Sequence, residues 1–160
     1  MDALFEQNIV QNEALGAEAL WYTVAEGFEA SDRVRGIHLP LIFLVLPIVF
    51  HRRSAQVLAG RTQPGALYKA LAADRELAVG LQSRMQNMWG RTQRALTLAV
   101  SGGLVEIDSA DFELTPRRKT SPINHVSAET KLIMASARRV GQAFVEMTPV
   151  QVMTHLNVRF

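Results

Sequence analysis

Apolar positions recur at helical spacing along most of the chain and give way to alternation in one short stretch. Leu15, Ala19, Tyr22 and Phe28 fall near a helical period, and Leu20, Trp21 and Val24 widen the stripe. The spacing predicts a helix from an Asn12 cap to about Glu29, covered on more than one side. Ala30 to Gly36 is a polar connection. Ile37 to Phe50 is the strongest apolar run, fourteen residues including His38, Pro40 and Pro47. Leu39-Pro40 opens a helix there, since proline is tolerated in a first turn. Pro47 predicts a kink or restart near Phe43–Leu46. His51-Arg52-Arg53 closes the run with donors where a helix C-terminus favours cations.

Gly60 to Gly65 reads as a loop, and Ala66 to Ala73 as a short helix. Asp74 is placed to cap a long helical segment reaching Ser101, weakened by Gly80 and Gly90 and divisible at Gly90. Leu77, Leu81, Met85, Met88 and Trp89 follow one face of it. Thr92 to Val100 turns Leu96 and Val100 inward. Ser101-Gly102-Gly103 ends the segment, glycine being suited to the left-handed C′ position. Leu104 to Asp108 and Phe112 to Thr115 then alternate apolar with polar, separated by Ser109-Ala110-Asp111, which predicts a two-stranded hairpin. Such a pair needs the helices to lean on. Ser127 and Glu129 mark a helix start running to about Glu146, and Pro149 starts a last one through Val152, Met153 and Leu156.

The fold class that follows is mainly α: a winged-helix-like helical domain with one two-stranded β-hairpin and C-terminal helices. A chain of 160 residues is expected to form one domain. Residues 12–115 supply its helical core with the winged-helix-like segment, 116–125 a polar, basic and mobile loop, and 126–160 C-terminal helices packing back. With 48% hydrophobic and 20% charged residues, wholesale disorder is excluded. The absence of cysteine removes disulfides, thiol catalysis and thiolate metal sites, and suits a reducing cytosol. The acidic opening lacks the basic start of a signal peptide. The Ile37–Phe50 run falls short of the roughly 20 apolar residues of a membrane span. The expectation is a cytoplasmic protein without a membrane segment.

Charge is distributed unevenly although the net is only +2. Residues 1–32 hold seven acids and no Lys or Arg; residues 33–103 hold ten bases and two acids. Residues 104–115 hold four acids, and 116–160 seven bases and two acids. That asymmetry suggests one acidic and one basic face.

Catalytic signatures are missing. Neither a phosphate-cradling GxxxxGK[ST] loop nor a GxGxxG turn occurs, so no cofactor is expected. His38, His51, His125 and His155 are far apart and have no carboxylate at ligand spacing. Ser101 in Val-Ser-Gly-Gly lacks the first glycine of a nucleophile elbow. A small hydrolase would need a convergent polar pocket that the sequence does not display.

Binding chemistry is better represented. Helix, helix, glycine, apolar strand, turn, strand is the local grammar of a winged helix. In Arg91-Thr92-Gln93-Arg94-Ala95-Leu96 polar donors precede buried positions, as a recognition helix requires. Arg91 and Arg94, with Arg84 upstream, are candidates for DNA contact. Arg117-Arg118-Lys119, after the second strand, are candidates for gripping a phosphate backbone. The acidic hairpin, with Glu106, Asp108, Asp111 and Glu113, opposes DNA there and favours protein docking. Met85, Met88 and Trp89 form an adaptable apolar patch of the kind that anchors a partner, with a buried core as the alternative. Glu18 and Trp21 on the first helix are the other partner-binding candidates.

Several segments, in order, resemble a known family. These are Asn12-Glu13-Ala14-Leu15-Gly16-Ala17, Leu39-Pro40-Leu41 through Leu46-Pro47 to His51, Thr92-Gln93-Arg94-Ala95-Leu96, Val140-Gly141-Gln142-Ala143-Phe144 and the closing Leu156-Asn157-Val158-Arg159-Phe160. Together they resemble the small middle component of bacterial three-component ABC ATPase systems, which include Lamassu-type antiphage and antiplasmid defence. The likeness runs from about Asn12 to Phe160. Two positions depart from it: Glu13 stands where the family often has proline, and Ala143 where it often has an aromatic.

The resemblance implies a non-catalytic adaptor without cofactor, metal or small-molecule substrate. Its partners would be an SMC-like or Rad50-like ABC ATPase and an effector, often a nuclease, acting on foreign DNA. A coupler needs two binding faces whose affinities differ between states, and the acidic first helix and the basic middle segment are the expected pair. The rival reading is a stand-alone winged-helix transcriptional regulator that binds DNA as a homodimer.

Overall fold

The computed structural model describes residues 13–61, 65–121 and 127–160, so the expected Asn12 cap lies outside the described residues, as does His125. Among these residues, eight α-helices and three short strands follow in the order α1 (Glu13–Ala30), β1 (Ile37–His38), α2 (Leu39–Val49), α3 (Arg52–Ala59), α4 (Ala66–Ala73), α5 (Leu81–Asn87), α6 (Trp89–Ser101), β2 (Val105–Ile107), β3 (Glu113–Pro116), α7 (Ala128–Phe144) and α8 (Pro149–Leu156).

α1 is the hub. Its apolar residues point in several directions, and Leu15, Ala17, Leu20, Trp21 and Val24 are all buried. It packs chiefly on α7 and α6. Small residues allow the close approach: a Cβ on Gly16 would come within 3.1 Å of Ala95 on α6, and one on Gly27 within 2.8 Å of the Gly141 carbonyl on α7. α2 is apolar throughout and buried from Leu44 to Val49. Pro40 lies in its first turn, as expected. Pro47 is accommodated inside the last turn, and the chain bends by 99° only afterwards, at the junction with α3. His51-Arg52-Arg53 therefore begins a new helix instead of closing the old one. The restart is held by Arg53, which donates to Asp74 at 2.8 Å and to Glu76 at 2.5 Å. These partners, Asp74 first, raise the guanidinium pKa further. No single helix among the described residues is long and apolar enough to cross a membrane.

The segment expected to run from Asp74 to Ser101 is broken twice. Asp74 caps only the 3₁₀ turn Arg75–Leu77, its carboxylate accepting the Glu76 N–H at 3.1 Å. Gly80 takes a left-handed conformation with φ 76°, and Met88 separates α5 from α6. On α6 the inward residues are Thr92, Ala95 and Ala99, while Leu96 is half-buried and Val100 exposed, contrary to the expected inward pair.

The hairpin gains a third strand. β1 joins β3 antiparallel, with Ile37 opposite Leu114 and His38 opposite Glu113, giving the order β1-β3-β2. The expected hairpin β2–β3 forms, and the sheet is wider than it by one strand: Ile37-His38 opens the apolar run, but its backbone pairs with β3 before α2 begins. Gly36 permits the approach, since a Cβ there would meet the Leu114 carbonyl at 2.4 Å. Val105, Leu114 and Ile37 face the core, and Glu106 faces solvent, as the pleat requires. The Ser127 hydroxyl caps α7 and Thr148 forms a capping box with Gln151 at α8.

Candidate functional site

The two faces expected from charge are not separate surfaces. Glu13 on α1 accepts a hydrogen bond from Arg94 Nε on α6 at 2.5 Å. Glu29 pairs with Arg33 at 2.8 Å, and Glu26 accepts from Gln142 at 2.9 Å. Glu18 is 1% exposed. The acids of α1 thus serve to join it to its own neighbours. Glu18, Trp21 (5% exposed), Met85 and Met88 are buried in the fold. Met85 and Met88 belong to the core, the alternative that the sequence held open.

Arg84 is committed as well. Its guanidinium donates to the backbone carbonyls of Pro47, Val79 and Leu77 at 3.2, 3.2 and 3.3 Å, binding α5 to the end of α2. Arg91 is half-buried on α6. The exposed face of α6 is accordingly not a run of available cations. Its exposed residues are Gln93, Arg94, Thr97 and Ser101, flanked by the apolar Trp89, Leu98 and Val100 at 36%, 42% and 37% exposure.

Trp89 is the one apolar anchor of the expected set at the surface. Its ring stacks on Phe43 from α2, centroids 3.9 Å apart. It borders a groove of about 550 Å³ with Met85, Gln82, Gln86, Asn157, Arg159 and Phe160. The Gln82 side chain fixes the chain end beside it: its amide donates to the Arg159 carbonyl at 3.0 Å, and its oxygen accepts the Arg159 N–H at 2.7 Å. Asn157, at φ 52°, turns the chain out of α8 into that clasp. Gln82 and Phe160 escape sequence reasoning, because a glutamine on a polar helix face gives no sign of a backbone partner 77 positions away.

A second surface lies where β3 ends. The Leu104 carbonyl accepts the N–H groups of Arg117 and Arg118 at 2.9 and 3.3 Å. The Trp21 indole N–H donates to the Arg118 carbonyl at 2.9 Å. The Ser121 hydroxyl donates to the buried Glu18 carboxylate. Glu18 and Trp21 thus seat the backbone of 117–121, while the side chains of Arg117, Arg118 and Lys119 are exposed. None of these three cations has a carboxylate partner among the described residues.

The outer sheet face forms an acidic cleft of about 440 Å³ lined by Glu106, Asp108, Asp111 and Glu113 with Val34 and Gly36. Glu113 accepts the Gly36 N–H at 3.0 Å, and Asp108 and Asp111 accept the turn N–H groups of Ala110 and Glu113. No set of three His, Asp or Glu among the described residues converges to hold a metal ion. Among the described residues, His51 Nδ1 lies 2.7 Å from Ser54 Oγ. Ser54 is 3% exposed and borders an apolar void of about 10 Å³, room for no more than about one water.

The Trp89–Phe160 groove and the cationic segment after β3 are the surfaces at which candidate binding residues stand exposed among the described residues. A family model, that of the ABC-three component (ABC-3C) system Middle Component 3, matches residues 2–160. No curated protein and no solved structure matches the chain.

Proposed function

Because the chain belongs to the Middle Component 3 family of ABC-three component systems, we propose that it is a non-catalytic adaptor that couples an SMC-like or Rad50-like ABC ATPase to an effector acting on foreign DNA, as in Lamassu-type defence. The observation that carries this reading is the groove beside α6. Trp89 and Phe160, 36% and 40% exposed, line its rim within about 550 Å³ of open space. Aromatic side chains held in place by their own packing are the usual anchors of a protein interface. The stack on Phe43 and the Gln82 clasp hold this pair ready. The Arg94 charge on α6 is already met by Glu13, which weighs against a phosphate backbone on that helix.

The order of helix α6, hairpin and third strand supports a winged-helix-like reading, and the acidic residues of the hairpin would repel a phosphate backbone there. That weighs against the stand-alone regulator, which needs free donors on α6.

Co-expression of the three components, with the ATPase tagged, tests the adaptor. The wild-type chain co-purifies at fixed stoichiometry, and Trp89→Ala with Phe160→Ala reduces its recovery tenfold or more. Undiminished recovery of the double variant, or no co-purification of the wild type, removes the support.

A further inference from the structure

We propose that Arg117, Arg118 and Lys119, together with Arg138 on α7, form a contact ridge for the phosphate backbone of duplex DNA, independent of base sequence. The ridge stands apart from the adaptor reading, since it uses no residue of α6 or of the groove.

Three observations place it there. First, the three cations after β3 are exposed, and no carboxylate among the described residues neutralises them. Arg33, Arg35, Arg53 and Arg94, by contrast, are each bound to an acid. Second, the backbone of Arg117 and Arg118 is fastened at Leu104 and Trp21, and Ser121 further on is tied by its hydroxyl to Glu18. A fastened segment loses less conformational freedom on binding than a loose one. Third, the fastening residues lead to another cation. The Trp21 ring meets the Tyr22 ring edge-on at 4.9 Å, and the Arg138 guanidinium lies over Tyr22 at 4.9 Å from its centroid. That stacking holds the charge at the surface without cancelling it.

The neighbouring carboxylates define the limits of the ridge. Glu106, Asp108, Asp111 and Glu113 occupy the hairpin up to its tip, whereas the cations follow its second strand. A phosphate chain is attracted on one side and repelled on the other, so it is guided along 117–119 toward α7. Each neutralised phosphate contributes about 0.9 to the slope of log affinity against log salt. Four contacts give a slope of about −3.6, or roughly a 150-fold loss of affinity between 50 and 200 mM KCl.

Fluorescence anisotropy with the full chain and a labelled 30-base-pair duplex of random sequence tests this. The wild type binds at 50 mM KCl with a slope of about −3.6 or steeper. Arg117→Gln/Arg118→Gln/Lys119→Gln/Arg138→Gln weakens binding at least tenfold at 50 mM and flattens the slope by about 3.6, with an unchanged melting midpoint. Should the quadruple variant fold poorly, Lys119→Gln and Arg138→Gln alone each lower the slope by about 0.9. Arg91→Gln/Arg94→Gln leaves both quantities as in the wild type. The ridge is refuted if the wild type shows no salt-dependent binding, if removing the four cations leaves affinity and slope intact, or if the α6 variant loses as much. Loss of a sister subunit from the quadruple variant with DNA affinity retained equally refutes it, by making the surface a protein contact.

Discussion

Gly141 crosses Thr23 in backbone contact: a Cβ on Gly141 would stand 2.1 Å from the Thr23 carbonyl oxygen and 3.2 Å from the Gly27 nitrogen. No rotamer relieves such a clash, because the obstacle is main chain on another helix. Gly141→Ala forces α1 and α7 apart and costs about 3 kcal/mol, outweighing the roughly 1 kcal/mol that alanine gains in helix propensity. Denaturant unfolding measures it, and a midpoint within error of the wild type would show that the helices slide at no cost.

Trp21→Phe keeps an aromatic ring in the core but unpairs the Arg118 carbonyl, 97 positions away. The lost bond costs about 1–2 kcal/mol. Amide hydrogen exchange at residues 117–121 speeds up more than in α2. Equal protection in both proteins would mean that the indole does not seat the segment.

Thr92 is fully buried, and its hydroxyl has no hydrogen-bond partner among the described residues. Thr92→Val preserves the shape and removes the unsatisfied group, so stability rises by about 1 kcal/mol. A fall on thermal or denaturant unfolding would reveal a partner for the hydroxyl.

Burial beside α7 and His155 raises the Tyr68 pKa above its ordinary 10.0. The folded chain therefore holds this proton at a pH where the unfolded chain has lost it. The contribution to stability is complete below pH 10, the unfolded value, and is lost as pH rises through the higher folded value. Tyr68→Phe flattens the alkaline fall of the unfolding midpoint, and Tyr22→Phe serves as the comparison. A fall as steep in Tyr68→Phe as in the wild type would assign it to other groups.

Much of the helical order was readable because local chemistry announces it. Pro40 and Pro149 mark first turns, and Ser127 offers its hydroxyl to an exposed N–H. Features set by distant partners were not. Ile37-His38 is too short to show its own period and merges with the apolar run that follows, so only β3 reveals it as a strand. Arg52-Arg53 looks like a helix ending until Asp74 and Glu76 come to meet it. On the site, the three cations 117–119 were visible as a charge run. Glu18 and Trp21, candidates for partner contact, lie against that segment: the Trp21 indole holds the Arg118 carbonyl and Glu18 holds Ser121, relations that depend on folding across most of the chain.

The pairing of β1 with β3 also bears on synthesis. Ile37 leaves the ribosome 76 positions ahead of Glu113, which at about 5–20 residues per second is a wait of roughly 4 to 15 s. Throughout it the Leu39 N–H, which ends on the Phe112 carbonyl at 2.9 Å, has no strand to receive it. The apolar stretch behind it, from Leu41 to Phe50, is meanwhile without its later helices. A nascent chain halted before the hairpin is thus the species on which chaperones would act.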